Sequence, residues 1–91
     1  MITPLFSGET GLAISETVSL NNFGLGRDEA SVQIDITGSA IVEVHGKVSI
    51  DAAWQTIKTI SASEIQPIYR VPYFRMQITN NSGSVSAFIA T

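Results

Sequence analysis

Histidine is the commonest general base and metal ligand, and the chain has one, His45. It stands between Glu43 and Lys47 at alternate positions of IVEVHGKV (41–48). Alternation in a strand puts all three on one face. Glu43 and His45 could share a cation, but no third ligand is close in sequence and Lys47 would repel the ion. The three therefore read as a solvated strand face. Serine is plentiful, yet no serine lies in GxSxG. Asp28 and Glu29 adjoin Arg27 in a glycine-containing loop, where an exposed turn explains them better than a paired acid and base. GLGRDE (24–29) looks superficially like a phosphate loop. It lacks the third glycine of GxGxxG, and the next run has a strand pattern, with no helix N-terminus to hold a phosphate. Asn80-Asn81-Ser82 matches a glycosylation sequon, which carries meaning only in a secreted protein. With no cysteine, disulfides, zinc-thiolate sites and thiol catalysis are excluded. These positions imply no cofactor or metal ligand, and a Ser-His-Asp triad built on His45 is the one enzymatic arrangement they leave, a hydrolase being a distant third reading.

The elements that would position these side chains are strands. The chain has 12 Ile, 7 Val and 8 Thr against 4 Leu, and β-branched side chains suit a pleated sheet. Its 91 residues make one domain, and 44% hydrophobic with 14% charged residues allow a core. The net charge of −3 argues against electrostatic binding to nucleic acid or an anionic membrane. No apolar run approaches the roughly 20 residues that span a bilayer. MITPLFSGETG (1–11) has neither a basic start nor a long apolar stretch, so no secretory signal is expected.

Along the chain, residues 1–11 read as an arm, with apolar Ile2, Leu5 and Phe6, and Pro4 unable to donate to a ladder. Such an arm folds back on its own sandwich or packs on a neighbouring subunit. In LAISETVSL (12–20) the set Leu12, Ile14, Val18 and Leu20 shares a face that Glu16 breaks, which predicts a bulge or interruption. Phe23 and Leu25 lie in the loop 21–30 as candidate caps on the sandwich end. Val32, Ile34 and Ile36 face inward, as do Val42, Val44, Gly46, Val48 and Ile50. Gly46 predicts a bend or the close approach of a large side chain. The turn Gly38-Ser39 between these runs predicts a hairpin. Trp54, Ile57 and Ile60 fit one face only with a bulge or twisted edge, and Trp54 is expected in the core or at its rim. Pro67 confines 64–71 to an edge or corner. Phe74, Met76 and Ile78 face inward, with Tyr73, Arg75 and Gln77 outward. NNSG (80–83) is a turn of residues that tolerate left-handed backbone. Val85, Ala87 and Ile89 share the last inward face. Seven or eight short strands so spaced predict an all-β antiparallel sandwich, jelly-roll or immunoglobulin-like. Nothing blunts its edges with lysines, so partners are expected to cover them.

The run SAIVEVHGKVSIDAAWQTIKTISASE, with its W-x-T-I, and then YRVPYFRMQITNNSGSVSAFIA, with P-Y-x-R-hydrophobic-x-hydrophobic-T-N-x-S-G-x-V, are distinctive. Over residues 39–90 the chain resembles the small β-sandwich virion proteins of tailed bacteriophages that decorate or cement the capsid. That resemblance implies a structural protein made in the host cytoplasm and placed on the capsid exterior. It implies a homo-oligomer, dimer or trimer, whose partner is the major capsid protein. It implies a non-enzymatic role and brings no catalytic residues. The residues expected to make protein contacts are Ile2, Pro4, Leu5, Phe6, Phe23, Tyr69, Arg70, Tyr73 and Arg75. A second reading, a receptor- or glycan-binding module of a phage tail or fibre, draws on Trp54, Tyr69, Arg70, Tyr73 and Arg75 as an aromatic and cationic platform.

Overall fold

The structure, a computed structural model, describes residues 2–19 and 29–90. Among the described residues the β-branched runs form nine strands: β1 (Ile2–Glu9), β2 (Ala13–Ile14), β3 (Val18–Ser19), β4 (Glu29–Thr37), β5 (Ala40–Lys47), β6 (Gln55–Ile60), β7 (Glu64–Tyr69), β8 (Tyr73–Asn81) and β9 (Ser84–Ala90). They make two antiparallel sheets packed as a sandwich. One has the order β1-β9-β4-β7; the other is β2-β8-β5-β6, with β3 also on β8. The expected all-β sandwich is present, and the order selects between its two forms. β1 pairs β9, β2 and β3 pair β8, β4 pairs β7 and β5 pairs β6. That is one long hairpin with its tip at β5–β6. Rolling it up adds the pairings β4–β9 and β5–β8 and makes a jelly roll.

The hairpin expected across Gly38-Ser39 does not form. β4 and β5 lie in different sheets, so this turn arches over the end of the sandwich. The β8–β9 turn arches back beside it. Ser82 N–H donates to the Ser39 carbonyl at 2.8 Å, and Gly83 N–H to Asn81 Oδ1 at 2.9 Å. Gly38 takes a left-handed backbone, φ 85°. The asparagines of NNSG do not: no described non-glycine residue has positive φ. Asn81 contributes through its side chain, whose Nδ2 also donates to the Glu9 and Gly11 carbonyls. A two-residue glycine turn serves hairpin and arch alike. The arch wins because β4 has β7 and β9 as its neighbours.

The core is built from alternate residues of both sheets. Val32 and Ile34 of β4, Val85, Ala87 and Ile89 of β9, Val42 and Val44 of β5, and Phe74, Met76 and Ile78 of β8 are all buried, as expected. Ile36 packs against them half-buried. Gly46 is where a large side chain comes close: a Cβ there would collide with Ile57 Cδ1 and sit 2.7 Å from Val71 Cγ2. The bulge expected for β6 is also present, because Val44 faces Lys58 while His45 faces Thr56. The extra residue, Ile57, packs on the core and Ile60 is buried. Val48 and Ile50 depart from their expected inward positions. β5 ends at Lys47, the chain turns away, and both are exposed.

The break expected near Glu16 separates β2 from β3, and it also reverses the expected facing of β2. The chain uses one more residue from Ala13 to Val18 than β8 uses from Ile78 to Phe74. Ala13 and Val18 therefore both pack on the core, and Leu12 and Ile14 point to solvent. Ser15 splices the break, its N–H donating to the Met76 carbonyl and its Oγ accepting from Met76 N–H, each at 2.8 Å. The loop residues Phe23 and Leu25, and Leu20, lie outside the described residues.

The stretch expected as an arm is, over residues 2–9, strand β1 of the same sandwich. A bulge at Leu5 and a second before Glu9 shift its alternation, so Leu5 packs on the core and Phe6 is 6% exposed within it. Deleting residues 1–8 should thus remove a core phenylalanine and bare β9. The melting temperature is expected to fall by about 15 °C or more, taking about 3–5 kcal/mol for the phenylalanine alone. An unchanged thermal melt would show that β1 adds nothing to the folded domain.

The edges are blunted after all, though not by lysine alone. β1 carries Pro4 and β7 carries Pro67, so both edges of the four-stranded sheet lack a ladder donor. β7 also turns Glu64 and Gln66 toward the sandwich, where they bond each other at 2.6 Å. In the other sheet β6 is bulged and bears exposed Lys58, and the β2/β3 edge is interrupted. Strand addition is disfavoured at every edge among the described residues, which leaves the faces for association.

Candidate functional site

The outward residues of β5 and β8 do not form the solvated face expected of Glu43, His45 and Lys47. His45 is only 6% exposed. β5 is a central strand, and the β5–β8 register sets His45 opposite Arg75 and Lys47 opposite Tyr73. Arg75 Nε donates to His45 Nδ1 at 3.0 Å. Arginine has no acceptor, so Nδ1 carries no proton and the ring is the Nε2–H tautomer. Nε2–H then donates to Glu43 Oε1 at 2.9 Å. Trp54, expected in or at the rim of the core, lies outside the core cluster and half-buried, where Lys47 and Arg75 cover its ring. Lys47 Nζ is 4.6 Å and Arg75 Cζ 4.7 Å from its centroid.

This arrangement orders a guanidinium, with both ring nitrogens of His45 hydrogen-bonded to protein side chains. Among the described residues, no three histidine, aspartate or glutamate side chains come together as a metal cluster.

The outer face of the four-stranded sheet has a different character. The registers lay Pro4, Phe88, Gln33 and Ile65 in one row and Ile2, Ala90, Ser31 and Pro67 in the next. Neither row contains a charged residue. Ile2 is 70% exposed, Ile65 67% and Tyr69, one step further along β7, 79%. A shallow depression lies among Ile2, Ile65, Phe88 and Ala90. Exposed isoleucines scattered singly need no explanation, but here Ile2 adjoins Phe88 and Ala90 on β9, and Ile65 closes the far side of the depression across Ser31 and Gln33 of β4.

The residues expected to make protein contacts are thus divided. Ile2, Pro4 and Tyr69 share the apolar face. Tyr73 and Arg75 lie on the opposite sheet, and Arg70 in the link between β7 and β8. Phe6, being in the core, is not available, and Leu5 packs against it. Phe23 lies outside the described residues. The five-residue aromatic and cationic platform is not assembled: Tyr69 belongs to one sheet, Trp54 and Arg75 meet on the other, and the Trp54 ring is already covered by cations. Ile65, Phe88 and Ala90 share this face and are not among the residues expected to make contacts. Their signal was in the sequence, since placing Val85, Ala87 and Ile89 inward leaves Phe88 and Ala90 outward. Comparison of the chain with known protein families, curated proteins and solved structures finds no match.

Proposed function

We propose that this chain is a virion structural protein that acts by adhesion, a decoration or cement protein bound to the outer surface of a phage capsid. One observation supports it above the others: two adjoining rows on the outer face of the β1-β9-β4-β7 sheet that carry exposed apolar side chains and no charge, with Asp35 one step beyond them. Blunted edges leave faces as the means of docking, and these two rows have no charge to desolvate. Its partner in this reading is the major capsid protein, and several copies joined as a dimer or trimer would bind a repeating shell multivalently. Jelly rolls occur in both viral capsid and lectin domains, so the architecture by itself favours neither. The covered ring of Trp54 weighs against the glycan-binding alternative.

The test is co-sedimentation of the purified protein with capsids lacking it. Binding is expected, and Ile65→Asp or Phe88→Asp should weaken it by about 2 kcal/mol or more, roughly thirtyfold, with little change in melting. A protein that stays in the supernatant and is strictly monomeric would sink the proposal.

A further inference from the structure

We propose that Arg75 and Lys47, held over Trp54 on the outer face of the five-stranded sheet, form a docking site for an acidic peptide segment of a partner. Here the guanidinium is fixed before any ligand arrives. Its Nε is bonded to His45 Nδ1, His45 is bonded in turn to Glu43, and its Cζ lies over the Trp54 ring. The side-chain entropy that an arginine ordinarily loses on binding is therefore already lost in the free protein. Its two Nη groups, four N–H donors, have no protein acceptor among the described residues. Lys47 Nζ donates to the Ile50 carbonyl at 3.1 Å and keeps two further donors. Glu43 is taken up by its hydrogen bond from His45, and among the described residues neither cation meets a carboxylate.

The donors select the ligand class. The Nη edge of Arg75 matches the two oxygens of a carboxylate, and Lys47 supplies a point charge for a second one nearby. Both cations lie within 4.7 Å of the same ring centroid, which places them within one short peptide stretch of each other. A nucleobase or a sugar ring would need a bare aromatic face, and Lys47 and Arg75 already cover Trp54. Glu43 and His45 are positioning residues in this site, acting through Arg75. The site lies on the opposite sheet from the apolar face and stands independently of the capsid reading.

Trp54 is the sole tryptophan, so its emission reports directly on the site. Titration of the full chain with hexaglutamate at low salt is expected to give a saturable change that high salt weakens, with none from hexaglutamine. Calorimetric titration, at a temperature where each variant is folded, should show Arg75→Gln and Lys47→Gln each weakening binding about tenfold or more. Arg75→Lys keeps the charge but lacks the fork, and should not restore the affinity. Glu43→Gln should weaken binding less than Arg75→Gln does. No saturable change, undiminished affinity in Arg75→Gln, or equal affinity for inorganic phosphate, an oligonucleotide or an oligouronate would overturn the proposal.

Discussion

Gly83→Ala is expected to destabilise the domain by about 3 kcal/mol or more and to lower its melting temperature by at least about 12 °C. A Cβ at Gly83 would strike the Thr37 carbonyl oxygen and come within 2.8 Å of its carbon. These are backbone atoms of the neighbouring arch, which cannot rotate away as a side chain can. The two arches would have to separate, breaking the bond from Ser82 N–H to Ser39 and exposing one end of the sandwich. Gly46→Ala is the comparison. Its obstacles are the tips of the Ile57 and Val71 side chains, so its cost should be smaller. Thermal melts of the two variants check the order. A Gly83→Ala protein that melts with the unaltered chain would mean that the arches are not packed against each other.

Truncation of Phe74 should have a comparable effect, about 3–5 kcal/mol, with Met76→Ala and Ile78→Ala at about 2–5 kcal/mol. All three are 1% exposed on β8, which is central in its sheet between β5 and the β2/β3 edge. A domain of this size has only about 5–14 kcal/mol of stability in all, so the loss of one such side chain removes a large part of it. Phe88→Ala is the control. It deletes the same chemical group from the outer face of the other sheet and should cost no more than about 1 kcal/mol. Denaturant midpoints for Phe74→Ala and Phe88→Ala separate the two faces. Equal midpoints would show that the inward and outward sets are misassigned.

The fold class is legible from local pattern. Clean alternation in SVQIDIT, YFRMQIT and SVSAFIA assigns the inward positions correctly, because a residue's side of a sheet is set by parity alone. Pro67 marks an edge strand, and Gly46 marks a close approach, because each is a local constraint on what the backbone or its neighbour can do. Parity misleads where the register slips. One extra residue between Ala13 and Val18 sends Leu12 and Ile14 outward, and a bulge at Leu5 brings Phe6 into the core.

The candidate sites are less legible. His45 stands out as the chain's only imidazole, but nothing local says that Arg75, thirty residues away, becomes its neighbour. Trp54 reads as core because an apolar surface of that size is normally buried. It is half-buried instead by two cations brought from β5 and β8.

From its own residues the chain determined that it is a β protein, with these strands and, for most of them, this inward face; composition and alternation act within a few residues and need no partner. Only the tertiary structure decided that Gly38-Ser39 is an arch, that residues 2–9 are an edge strand, that the sheets roll up as a jelly roll, and that Arg75 is locked between His45 and Trp54. Those outcomes depend on contacts between distant segments. Which strand lies beside which is settled by burying all inward faces at once, a condition that no single segment expresses.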